Sequence, residues 1–159
     1  MRAARPVVAE GMHTAENAAG FYAAIGQLLG LAGGVHSEVD LAQRVERGIP
    51  ARSVEQLRTH LALNDEEVYR LIAPRRTLAR RLASKEPLTP QESDHAVRVA
   101  RVAVLARRVF AGKPDYAPLW LRESKQSLGG RAPLDVLATG PGARAVEEML
   151  IGIEHGLFA

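Results

Sequence analysis

Apolar positions recur along this chain at helical spacing, in short blocks separated by glycine, proline and capping residues, and one block dominates. From Ala96 to Ala106 nearly every residue is Ala, Val or Leu, interrupted only by Arg98 and Arg101. A helix apolar around most of its girth is buried on most sides. Thr89 precedes it as an N-cap, with Pro90 at the first helical position and Glu92 three residues after the cap. That is a capping box, with proline where its missing N–H does no harm. Gly112 and Pro114 end the helix. Thr89 to Phe110 therefore predicts a central rod of about 20 residues, roughly 30 Å long.

Shorter blocks flank it. Val39 to Arg47 predicts a helix closed by Gly48 and Pro50. Ser53, with Gln56 at the third position, starts another, whose inner stripe is Val54, Leu57 and Leu61. Asn64 and Glu67 cap a third, with Val68, Leu71 and Ile72 inward, and Ala73-Pro74 breaks it. Pro74 primes a fourth helix, Arg75 to about Ser84, with Leu78, Ala79 and Leu82 on its inner side. After the rod, Asp115 to Arg122 predicts a helical turn or two anchored by Trp120, Ser127 to Ala132 a loop, and Pro133 to Ala138 a short helix. Pro141 opens the last helix and Gly156 ends it, with Val146, Met149, Leu150, Ile153 and Leu157 as a buried stripe. Residues 1–17 read as a loosely ordered leader. Phe21 to Leu31 reads as a weak helix, because Gly26 and Gly30 each cost about 1 kcal/mol against alanine. Residues 1–34 are thus expected to form a variable extension packed on the surface. No period-2 run is sustained, so the fold class is all-α.

Charge adds a location. The chain carries 21 Lys/Arg and 18 Asp/Glu. Residues 1–63 hold six of each sign, residues 64–110 ten basic against six acidic, and residues 111–159 five against six. The excess lies in the middle and points to an anionic partner there. The absence of cysteine excludes disulfides, thiolate metal sites and cysteine nucleophiles. Five scattered histidines argue against a zinc site. Ala18–Gly34 is too short and too glycine-rich for a membrane span, and acidic residues precede it, so a cytoplasmic, soluble protein is expected. No Walker or GxGxxG pattern and no triad spacing occurs, so neither a cofactor nor an enzymatic activity is expected.

Within the basic region, Arg70 to Lys85 holds six cationic residues and no acidic one. Arg76, Thr77, Arg80 and Arg81 share one side of the fourth helix, spanning about 140°. Leu63 to Leu82, a capped helix, a break and a basic helix, has the length and order of a helix-turn-helix. The basic helix would lie in a major groove with arginines on base edges and phosphates. Arg75, Arg76, Thr77, Arg80, Arg81 and Lys85 are the candidate DNA contacts; the plainer alternative is a solvated arginine face. The turn lacks the glycine that often supplies a positive φ there. At the other end, Ile151 falls on the polar face with Arg144, Glu147, Glu148 and Glu154, and no charged side chain follows Glu154. Either the tail meets another surface, or Leu157 and Phe158 fold back onto their own core.

The segments RTLARR (Arg76–Arg81), LTPQESDHAVRVARV (Leu88–Val102), Leu119-Trp120, LGGRAPLDVLATGPGARAVEEML (Leu128–Leu150) and IEHGLFA (Ile153–Ala159) occur in that order. Together they resemble the Xre/MbcA/ParS antitoxins that accompany RES-domain toxins. The resemblance covers roughly Val39 to the C-terminus; residues 1–34 match nothing. It implies an N-terminal Xre-like helix-turn-helix bundle at 35–88 and a long central helix at 89–112 for core and dimerisation. A small helical toxin-binding domain with a tail would follow at 113–159. It also implies a type II antitoxin: a homodimer that represses its own operon at operator DNA and neutralises a NAD-consuming RES-domain toxin with its tail. On that reading Gly156, Leu157, Phe158 and Ala159 contact the toxin, with Glu154 and His155 at the rim and Ile151 as an exposed apolar neighbour. Gly129, Gly130, Arg131, Pro133, Leu134 and Asp135 would shape the toxin-binding fold. From the residues alone, Arg131 beside the glycine pair suits either an anion nest or an ion pair to Asp135. The alternative function is a stand-alone helix-turn-helix regulator whose C-terminal domain dimerises or senses a ligand.

Overall fold

The computed structural model describes residues 7–157, with side chains from residue 16 onward. Among the described residues the regular elements are helices: α1 (Val7–Leu28), α2 (Glu38–Arg47), α3 (Ser53–Leu61), α4 (Asp65–Leu71), α5 (Arg75–Ser84), α6 (Pro90–Val109), α7 (Tyr116–Trp120), α8 (Pro133–Val136) and α9 (Gly140–Glu154). A 3₁₀ turn at Gln126–Leu128 completes them. The chain is all-α, as its periodicity predicts.

Helix α6 organises the rest. Its capping box is complete: the Thr89 hydroxyl accepts from the Glu92 N–H at 3.2 Å, and the Glu92 carboxylate accepts from the Thr89 N–H at 2.8 Å. Ala96, Val97, Val99, Ala100, Val102, Ala103, Leu105 and Ala106 are all buried. Small alanines on several sides let α1, α2, α3, α4, α7 and α9 approach it. One apolar interior runs through α6 from Ile25 to Leu150, so the segments on either side share a core. Most of the apolar surface of α6 is used within the chain, with Val104 and Val109 only half-buried.

Polar groups lash the loops to this rod. The buried Ser93 hydroxyl accepts from the Ile49 N–H at 2.8 Å and donates to the Leu88 carbonyl at 3.4 Å, while the Leu88 N–H donates to the Ile49 carbonyl at 2.8 Å. Gly48 holds φ +91 beside that crossing, where an added Cβ would lie 2.5 Å from the Leu88 oxygen. Only glycine fits there.

The N-terminal region departs from the expectation of a surface extension. Helix α1 begins at Val7, and Ile25, Leu28, Leu29 and Val35 enter the common core. Gly26 is the reason. A Cβ there would sit 3.0–3.3 Å from Val35, so its absence permits the close approach that repays the low helix propensity. Ser53 also differs from its expected role as an N-cap. Arg52 occupies that position without a side-chain bond, and Ser53 is buried, its hydroxyl donating to the Leu29 carbonyl. It ties α3 to the end of α1.

Arg101 breaks the apolar run of α6 because it joins four helices. Its Nε donates to the Glu147 carboxylate on α9 at 3.1 Å, and its Nη1 to Glu38 on α2 at 2.7 Å. The guanidinium also stacks 5.4 Å from the Phe21 ring centroid on α1, and the Tyr22 hydroxyl donates to Glu38 at 2.8 Å. Burial pushes the Glu38 carboxyl up, yet the bonds from Arg101 and Tyr22 outweigh it and hold the pKa below its ordinary value.

Candidate functional site

The first surface is built on α4 and α5. Asn64 and Glu67 form a second complete capping box, each arm 2.9 Å. The break into α5 is made by Pro74 at φ −58, ψ 150, an extended residue. The turn thus needs no positive φ, and the missing glycine is explained. Leu78 is the buried contact of α5, whereas Ala79 and Leu82, expected inside, are exposed. Helix α5 rests on its neighbours by a narrow seam and presents most of its circumference to solvent.

Arg75, Arg76, Arg80 and Lys85 are exposed, and among the described residues none has a carboxylate within ion-pairing distance. Thr77 is half-buried between them. Lys85 terminates α5 at φ +56, its N–H donating to the Arg81 carbonyl. Arg81 behaves differently. Its side chain is 12% exposed and lies against Glu92, Nε 2.8 Å from the carboxylate, with Glu86 at 3.6 Å. The Nε–H itself has no aligned acceptor, so that contact is ionic; Nη1 donates to the Pro87 carbonyl at 3.2 Å and Nη2 to Glu92 at 3.4 Å. Arg81 braces α5 against the start of α6, while its neighbours stand free.

The second surface is the end of α9. The Gly156 N–H donates to the Ile153 carbonyl at 3.0 Å and the Leu157 N–H to the Gly152 carbonyl at 2.9 Å, with Gly156 at φ +72. This is a Schellman closure, in which the residue after the glycine usually packs its apolar side chain against the helical residue five or six positions before it. Here the nearer of those positions is Gly152, which has no side chain. Leu157 is accordingly 75% exposed rather than part of the buried stripe. Val146 and Leu150 are buried, Met149 and Ile153 half-buried, and Ile151 is 40% exposed on the other side, as its position predicts. His155 is the exposed C-cap. Glu154 is engaged within the chain, paired to Arg108 on α6 at 2.7 Å. Phe158 and Ala159 lie outside the described residues.

The glycine pair shapes a tight loop. Gly129 and Gly130 hold φ +67 and +78, and Lys125 pairs with Arg131 in an antiparallel bridge. Arg131 is exposed and donates to the Asp135 backbone carbonyl at 2.9 Å, not to its carboxylate. That carboxylate faces Arg70 on α4 at 3.4 Å. Trp120 is the predicted plug, buried beside Phe110 with Lys125 Nζ 5.0 Å over its ring. Spacing gives no hint of Arg122, which donates to the Leu61, Ala62 and Pro118 carbonyls and to Glu67. It caps α3 and fastens the C-terminal segment to the capping box of α4; only its isolation after an apolar stretch marks it in the sequence.

Residues 40–101 match the antitoxin Xre-like helix-turn-helix domain, and residues 105–156 match the antitoxin Xre/MbcA/ParS C-terminal toxin-binding domain. This chain belongs to the Xre-type antitoxins. It is 34% identical over 120 residues to Antitoxin Xre of Pseudomonas putida, covering 76% of this chain and 74% of that protein. It is 28% identical over 120 residues to Antitoxin Xre of Yersinia enterocolitica, covering 75% and 81%. A chain of the crystal structure of the M. tuberculosis MbcT–MbcA toxin–antitoxin complex superposes with a TM-score of 0.53 at 26% identity, over 69% of this chain and 96% of that one. In this antitoxin the two matched domains abut inside α6, between Arg101 and Leu105, so the central helix belongs to both. Helix α1 lies outside both matches. No described helix is long and apolar enough to cross a membrane.

Proposed function

We propose that this antitoxin neutralises a NAD-consuming RES-domain toxin by seating its C-terminal tail at the toxin's active site, and that as a dimer it represses its own operon through α5. The observation that carries the first half is Leu157. It is an apolar side chain on a well-closed helix end, three-quarters exposed among the described residues, directly after a segment of the family's toxin-binding type. Ile151 is a second exposed apolar side chain on α9, and beyond Gly156 the sequence adds Phe158 and Ala159, which carry no charge. His155, and Glu154 held by Arg108, border this tail. Gly129 and Arg131 stand on the exposed Lys125–Arg131 loop as further toxin contacts.

The exposed, uncompensated arginines of α5 support DNA binding, with Arg75, Arg76, Arg80 and Lys85 as contacts and Thr77 between them. Arg81 acts as their brace. The stand-alone regulator reading leaves the toxin-binding type of residues 105–156 without a use.

Removal of residues 156–159 tests the tail. The cut falls after the C-cap His155 and removes the two closing bonds of Gly156 and Leu157, but it keeps every residue of α9 and the Arg108–Glu154 pair that holds its end to α6. Cells expressing the cognate toxin should lose rescue by the truncated chain, which should still shift operator DNA. Continued rescue would refute the tail assignment.

A further inference from the structure

A cavity of about 560 Å³ opens between α1, α3 and α6. Its lining divides by chemistry. Phe21, Ala24, Leu28, Ala103 and Val104 supply an apolar floor, and Gln27, Gln56, His60 and Arg107 supply donors and acceptors at one side. That volume and mixture suit a small molecule. Glu16 stands at the α1 lip, and Arg108 completes the wall while paired to Glu154.

Two details single the cleft out. Among the described residues Arg107 has no carboxylate partner; its Nη1 donates to His60 Nε2 at 2.8 Å. Burial and the Arg107 charge both push the His60 imidazole below its ordinary pKa, and in either protonation state the ring supplies the guanidinium no negative charge. The second detail is Gly20. It lies inside α1 and lines the cavity, it carries no positive φ, and an added Cβ would meet nothing within 4 Å. A helix-interior glycine is unfavourable by about 1 kcal/mol against alanine. Among the described residues neither backbone conformation nor packing requires it. What it preserves is open space.

We propose that this cleft binds a small amphipathic monoanion, its carboxylate on Arg107 and its apolar chain against Phe21, Leu28 and Val104. One uncompensated guanidinium favours a single negative charge, and Glu16 at the lip disfavours a multiply charged one. The apolar floor favours a hydrocarbon body over a sugar or nucleotide. The site is made jointly by α1, which neither matched domain includes, and by the helix both domains share. The proposal stands independently of the toxin and DNA readings.

Isothermal titration of the full chain with decanoate tests it. The native protein should give one saturable site, with decanol binding about tenfold more weakly because it lacks the charge. Gly20→Leu fills the cleft with a residue that favours helix, so it should keep or raise thermal stability while weakening decanoate binding at least about tenfold. Arg107→Gln should bring decanoate down to the affinity of decanol, and Arg107→Lys should restore part of the difference. No saturable binding, several equivalent sites, or equal decanoate affinity in folded Gly20→Leu would overturn the proposal.

Discussion

Replacing Arg76 and Arg80 together by alanine separates a DNA-gripping face from a merely solvated one. Both side chains are exposed and have no acidic partner among the described residues, so no ion pair within the chain is lost and the fold should persist. Each phosphate contact made by a cation releases counterions and contributes about 0.9 to the slope of log affinity against log salt. Losing two such contacts should flatten the slope by about 1.8. Across a fourfold rise in salt the native protein should then lose about tenfold more affinity than the variant. Fluorescence anisotropy on a short duplex from upstream of its own coding region, repeated over a salt series, reads this directly. Arg81→Ala is the internal control. Its guanidinium is engaged by Glu92 and Glu86, so the slope should hardly change. Stability should fall by about 1–2 kcal/mol, since Glu92 loses a partner in a half-buried setting. An unchanged slope in the double variant, or a flattened one in Arg81→Ala, would refute the assignment of roles on α5.

Three further outcomes follow from the packing. Gly142→Ala should destabilise the protein by about 3 kcal/mol or more in urea unfolding, because the new Cβ would lie 1.9 Å from the Val136 oxygen. Thr89→Ala should cost about 1 kcal/mol by removing one arm of the α6 capping box. The third concerns pH. The Glu38 pKa is depressed in the fold, so its contribution is present above the unfolded value and is lost as pH falls through the lower folded value. Urea midpoints should therefore drop below the ordinary glutamate range, and Arg101→Gln should shrink that acid-side loss.

How much of this was legible in the sequence follows from which interactions are local. Capping boxes at Asn64 and Thr89 and the apolar run of α6 are relations between near neighbours, and they appear in the fold as predicted. Ile151 could also be placed outside by helical phase alone. The misses are long-range. Gly26 reads as a weak point of a helix until Val35 is seen against it. Arg81 shares a helical face with Arg76 and Arg80, but Glu92, eleven residues on, removes it from that set. Leu157 continues the spacing of a buried stripe, yet the glycine at φ +72 ends the helix first. Likewise Asp135 meets Arg70 across the fold instead of Arg131 beside it.

The central claim is that the last residues of this antitoxin silence a partner enzyme. Its most direct test is NAD turnover by the purified complex of the cognate toxin with the chain lacking residues 156–159. The account predicts that the complex still assembles through the rest of the toxin-binding domain and that NAD turnover returns to near the level of free toxin. A complex that assembles and stays inactive would contradict it.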